Sequence, residues 1–158
     1  MSTAQTISLT ERILSLTDEI LGRPVTRNEK LFAICEVLAD EVSTFDWVGF
    51  YLVADDATDE LVLGPFVGEA TDHTRIPFGT GICGQVALSH ETFVSQDVAA
   101  EENYLACSMD VKSEIVVPIM ADGEFVAQLD IDSNTKNSIT EEQTELLEKI
   151  CEMLSAEF

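Results

Sequence analysis

The chain has 158 residues, 46% of them apolar, which is enough for one buried core and too apolar for disorder. Thirty Asp and Glu face eight Lys and Arg, and the net charge of −22 excludes nucleic acid and anionic membrane surfaces as partners by repulsion. No apolar run approaches the roughly 18 residues that span a bilayer, and Met1–Thr10 has neither the basic start nor the apolar centre of a signal peptide, so a cytoplasmic protein is expected.

In chain order, Ile13, Leu14, Leu16, Ile20 and Leu21 predict a helix from about Thr10 to Gly22-Arg23-Pro24. Thr26 and Glu29 have the spacing of a capping box, and Leu31, Ile34, Cys35, Leu38 and Val42 form the apolar stripe of a second helix. Trp47–Val53 is aromatic and β-branched and predicts a strand. Glu60–Phe66 is its partner across a polar turn, and Gly64, Pro65 and Gly68 make that partner irregular or an edge. A glycine-rich stretch from Pro77 leads to a short helix over Cys83–Ser89 and a short strand over Thr92–Ser95. Gln96–Lys112 has no period, and ordered loops of that length often carry function. Ser113–Met120 and Glu124–Asp132 predict a hairpin about Asp122-Gly123. Thr140 and Gln143 cap a last helix with Leu146, Leu147, Ile150, Cys151, Leu154 and Phe158 on its apolar side. This order predicts an α+β fold with a central antiparallel sheet, the N- and C-terminal helices on one face and loops on the other.

The four cysteines, Cys35, Cys83, Cys107 and Cys151, contain no CxxC pair, so their spacing supports neither a zinc site nor a thioredoxin-type motif. Cys35 and Cys151 fall on apolar helix faces and read as core. Cys83 and Cys107 fall near loops, where reactive thiols are expected, and a place at a helix start would lower the Cys83 pKa. Asp130 and Asp132, two apart, share one face of a strand, as do Trp47 and Tyr51, four apart.

Trp47-Val48-Gly49-Phe50-Tyr51, Leu61–Phe66, Arg75–Gly84, Ala106-Cys107, Ser113–Pro118 and Leu129-Asp130-Ile131-Asp132-Ser133, in that order, resemble the free methionine-(R)-sulfoxide reductases, which are single GAF domains. The resemblance implies one GAF domain over 1–158, with 1–25 as an N-terminal helical extension. It implies reduction of free methionine sulfoxide with Cys107 as nucleophile, passing through a sulfenic acid and a disulfide that thioredoxin or another dithiol reduces, without metal or cofactor. Glu114 and Asp132 then help the sulfoxide oxygen leave, Asp130 binds the substrate ammonium, and Trp47 and Tyr51 wall the pocket, where they can hold the S-methyl group. GAF domains also form homodimers.

The sequence departs from the family pattern at three places. Many members have a further cysteine just before the Arg-Ile-Pro segment, where this chain has His73, expected to be exposed. Tyr104 and Ser108 stand where His and Asp often flank the nucleophile. The disulfide partner is then Cys83, or an outside thiol reduces the sulfenic acid directly, or the chain is inactive. The alternative function is a non-catalytic GAF domain that binds a small molecule or senses redox state.

Overall fold

The computed structural model describes residues 8–57, 59–104 and 110–158. Helix α1 (Leu9–Leu21) and helix α2 (Arg27–Glu41) come first, followed by strands β1 (Trp47–Val53), β2 (Glu60–Val67) and β3 (Arg75–Pro77). Helix α3 (Gly81–Ser89), strands β4 (Phe93–Ser95), β5 (Ser113–Ala121) and β6 (Glu124–Ser133), and helix α4 (Glu141–Leu154) complete the order. The strands form one antiparallel sheet in the order β3-β2-β1-β6-β5-β4.

Local chemistry accounts for the boundaries. The Ser8 and Thr26 hydroxyls accept from the backbone N–H groups of Glu11 and Glu29 and start α1 and α2. At α2 the Glu29 backbone supplies the bond, and the full reciprocal box forms at α4, where Gln143 returns a bond to the Thr140 N–H. Asp122 and Gly123 both have positive φ, the requirement of a two-residue hairpin that matches strand twist, and Ala121 pairs Glu124 across it. The sequence missed β3, which is three residues long and pairs only with Glu60–Val62. Beyond Leu63, whose N–H still donates to the Thr74 carbonyl, β2 is itself the sheet edge, and there Gly64 and Pro65 are tolerated.

Strand alternation divides the interior in two. Val48, Phe50, Ile115, Val117, Ile119, Ala127, Leu129 and Ile131 point to one face and pack under α1, α2 and α4. Cys35 and Cys151 lie in that core, and burial pushes both thiols well above the ordinary cysteine range. Trp47, Tyr51 and Val116 point to the other face with Ile76, Ile82, Cys83 and Val86. The fold is thus the expected α+β arrangement, with loops and α3 covering the second face.

Candidate active site

The second face of the sheet carries its chemistry in cross-strand rows. Glu114 pairs with Asp132, which pairs with Trp47. One row along, Val116 pairs with Asp130, which pairs with Gly49. Beyond it, Pro118 pairs with Gln128, which pairs with Tyr51. Residues opposite one another on neighbouring strands stand side by side. Three carboxylates and two aromatics distant in sequence therefore meet on one small area of sheet.

None of these acids is a solvated surface charge. Glu114 is 4%, Asp130 0% and Asp132 1% exposed. Burial holds the Glu114 carboxyl well above the usual carboxylate range, and the neighbouring Asp130 and Asp132 charges push it further. Burial also raises Asp130, while Glu114 and a donated hydrogen bond from Cys83 draw it part of the way back. The group is one in which like charges cannot all ionise, and burial with two acidic neighbours pushes Glu114 toward the neutral form.

Cys83 occupies the first turns of α3, with its Sγ 3.3 Å from Asp130 Oδ2. The helix N-terminus was expected to lower its pKa, but the opposite holds. Burial raises the thiol well above its ordinary value, and the charges of Asp130 and Glu114 raise it more. Desolvation and two adjacent acids outweigh the partial charge of a helix end. Cys83 is therefore a protonated thiol in this arrangement. Cys107 lies outside the described residues, so its distance to this cluster is not part of the geometry.

Trp47 and Tyr51 stand on the same face as the acids, and neither lines one of the hollows formed among the described residues. The Trp47 ring stacks on Phe66 with centroids 5.5 Å apart and on Tyr51 at 6.4 Å. It folds back over Gly49, where an added Cβ would sit 2.4 Å from the ring, so a side chain there would displace it. Trp47 Nε1 donates to the Glu69 carbonyl at 3.0 Å, and the Tyr51 hydroxyl donates to the His73 carbonyl at 2.8 Å. The aromatics thereby also pin the loop before β3. His73 is half-buried rather than exposed, because that loop is drawn down onto them.

Two residues of the site were missed. Gln128 is fully buried, and neither atom of its amide has a hydrogen-bond partner among the described residues. Its spacing of two from Asp130 was the available signal. Asn103 accepts from the Gly81 N–H and donates to the Gly79 and Gly81 carbonyls, at 3.0 to 3.2 Å. It lies four residues before Cys107 and ties its own segment to the start of α3. No periodicity marks such a side-chain clamp. Between Cys83, Glu114, Asp130, Ile76 and residues Thr80–Ile82 lies an enclosed hollow of about 10 Å³, room for roughly one water. Two larger hollows, of about 670 and 550 Å³, lie elsewhere and touch none of the three acids. No described helix is long and apolar enough to cross a membrane.

Residues 26–158 match the GAF domain family, and the curled six-stranded sheet with helices on one face is that class of domain. The chain is 37% identical over 146 residues to GAF domain-containing protein A of Dictyostelium discoideum, covering 91% of this chain and 90% of that one. It is 34% identical over 118 residues to the free methionine-R-sulfoxide reductase of Escherichia coli, covering 75% of this chain and 69% of that one. The X-ray structure of free methionine-R-sulfoxide reductase from Neisseria meningitidis in complex with its substrate superposes with a TM-score of 0.87 at 34% identity, over 100% of this chain and 92% of that chain. The chain belongs to the free methionine-R-sulfoxide reductase family of GAF domains.

Proposed function

We propose that this protein reduces free methionine-(R)-sulfoxide to methionine with a cysteine nucleophile. The observation that carries the reading is the buried group of Glu114, Asp130 and Asp132 beside Trp47, Tyr51 and Cys83. The relatives named as reductases of this substrate, one of them in complex with it, support the same reading.

Each residue then has a task. The substrate ammonium is held by Asp130, because burial makes a carboxylate a strong partner only for a cation. A peptide-bound methionine has a neutral amide at that place and is rejected, so the substrate is the free amino acid. The S-methyl group lies against Trp47 and Tyr51. The Cys107 thiolate attacks the sulfoxide sulfur, and Glu114, the neutral acid of the group, donates a proton to the departing oxygen with Asp132 beside it. The sulfur–oxygen bond of the substrate breaks, the protonated oxygen passes to the Cys107 sulfur as a sulfenic acid, and methionine leaves. The Cys83 thiol gives its proton to Asp130, whose Oδ2 already accepts from it, the thiolate attacks the sulfenic sulfur, a disulfide forms, and the sulfenic hydroxyl leaves with that proton as water. Thioredoxin or another cytoplasmic dithiol then restores both thiols. The substrate is larger than the hollow of about 10 Å³ between the acids, so side chains on this face give way when it binds.

The test is consumption of each sulfoxide epimer with dithiothreitol as reductant. Loss of the R epimer by the parent chain, and none by Cys107→Ser, is expected. Binding of the R epimer without turnover would replace this reading with that of a small-molecule sensor. Cys83→Ser should slow turnover with thioredoxin more than with dithiothreitol. Equal slowing with both would remove Cys83 as the resolving thiol.

A further inference from the structure

The cysteine spacing gave no metal site, yet folding makes a set of metal-ligating groups that no local motif could reveal. Cys83, Glu114 and Asp130 offer a sulfur and two carboxylate oxygens that all lie within 4.8 Å of one another. All three residues are buried, and together they line the small enclosed hollow described above. Cys83 Sγ and Asp130 Oδ2 are 3.3 Å apart. Sulfur and oxygen ligands on one tetrahedral zinc ion stand about 3.5 Å apart, so this edge is already at coordination distance.

A second, independent observation points into the same hollow. Asp130 is fully buried, and among the described residues its carboxylate meets no cationic group, with the Cys83 thiol and the acid Glu114 beside it and its Oδ1 otherwise unpartnered. A buried carboxylate held only by neighbouring acid protons is costly, and a cation can take their place. No basic side chain lines the hollow. Its volume of about 10 Å³ is sufficient for a metal ion. A thiol set against two carboxylates selects borderline, thiophilic metals over magnesium and calcium, which take oxygen alone.

We propose that Cys83, Glu114 and Asp130 form a site for a thiophilic divalent cation of the zinc type, which occupies the pocket floor and inhibits the enzyme. The sulfur–hydrogen bond of Cys83 is exchanged for a sulfur–metal bond, its proton and that of Glu114 pass to solvent, and no electron moves. Glu114 closes toward the ion, and the side chains over the hollow shift to admit a water at the fourth position. The ion engages the carboxylate assigned to the substrate ammonium and removes the acid proton assigned to the departing oxygen. It therefore excludes substrate. This inhibitory consequence rests on the reductase reading, and the binding does not.

Cobalt(II), titrated into the reduced, metal-free chain, is the probe, because a cobalt–thiolate bond gives a charge-transfer band. The band should saturate at one equivalent and be discharged by zinc. It should persist in Cys107→Ser and be absent in Cys83→Ser. Asp130→Asn, which keeps the shape of the side chain, should weaken cobalt binding at least about tenfold and decides the matter if Cys83→Ser fails to fold. Absence of the band in the parent chain overturns the proposal, as does a band that survives Cys83→Ser or vanishes in Cys107→Ser. In turnover, zinc should raise KM for methionine sulfoxide and leave kcat unchanged. Zinc bound at Cys83 with an unaltered KM overturns the inhibitory role. A chain that binds cobalt through Cys83 yet reduces no sulfoxide keeps the metal site and retires the reductase reading instead.

Discussion

The two faces of this sheet are made by the same strands and obey opposite rules. Along β6, Leu129 and Ile131 enter an apolar core beneath the helices, while Gln128, Asp130 and Asp132 enter the face covered by α3 and the loops. Both faces exclude water. On the first, every group gains by leaving water. On the second, three acids and an amide are held out of water because the helix face and the close-packed aromatics hold the backbone in place. One face supplies stability, and the other uses it to hold groups in states that water would not allow.

Neighbouring residues on one strand give the sharpest way to break this contrast. Leu129→Ala should cost about 2–5 kcal/mol of stability by opening a cavity under the helices, with KM little changed in the fraction that remains folded. Asp130→Asn should do the reverse. It should lower kcat/KM about 10–100-fold, or about 1.4–2.8 kcal/mol, through loss of a charge-assisted contact, and leave the melting temperature no lower. Denaturant titration and steady-state kinetics on both variants decide it. A strongly destabilised Asp130→Asn would mean that the acid is part of the scaffold.

Glu114→Gln refines the contrast and has a pH signature. The folded pKa of Glu114 is raised above its unfolded value, so folding takes up a proton. Its contribution to stability is fully present below the unfolded pKa. It is lost as pH rises toward the folded pKa, since the unfolded chain ionises freely and the folded one does not. Glutamine has no proton to lose. Glu114→Gln should match the parent in acid and exceed it by about 1 kcal/mol near neutrality, the usual gain from relaxing a functional site. Turnover should fall at every pH. Thermal melts across pH test this, and a variant less stable than the parent at neutral pH would show that Glu114 is structurally required as an acid.

The contrast also explains what the sequence could and could not disclose. Helices α2 and α4 and the β5–β6 hairpin were legible because their signals are local: an apolar stripe, a Thr at the cap, Asp122-Gly123 at the turn. Strand β3 was not, since three residues carry no period and their pairing with Glu60–Val62 is long-range. The face shared by Asp130 and Asp132 was legible from spacing alone, and family resemblance gave the rest of their role. Burial of the acids was hidden, because in a chain of net charge −22 a carboxylate carries little information by its presence. The thiol state of Cys83 was misjudged for the same reason. Position at a helix start is visible in sequence, whereas the two acids beside the sulfur come from strands that pair only in the fold. The Asn103 clamp and the Gln128 amide depend on such distant pairings as well.

The smallest expected effect concerns the outer surface of the helix face, where charge works against the apolar core. Along α4, Glu141, Glu142, Glu145, Glu148 and Glu152 are exposed against Lys149, and the last turn has no basic residue. Glu148 and Glu152 stand one turn apart with like charge, and Glu152 faces the negative end of the helix. Glu152→Lys replaces both repulsions with attractions, sets one new repulsion against Lys149 three residues back, and should add about 0.5 kcal/mol in dilute buffer. In molar KCl the Debye length falls to about 3 Å, so most of that gain should vanish. The parent should itself melt higher in molar KCl than in dilute buffer, because the same screening relieves its net charge of −22. Paired melts of parent and variant at both salt concentrations separate the two terms. A parent whose melting temperature ignores salt would mean that surface repulsion is not what limits the stability of this face. The helix packing would then have to be the limiting term, and Leu129→Ala rather than Glu152→Lys would be the informative position.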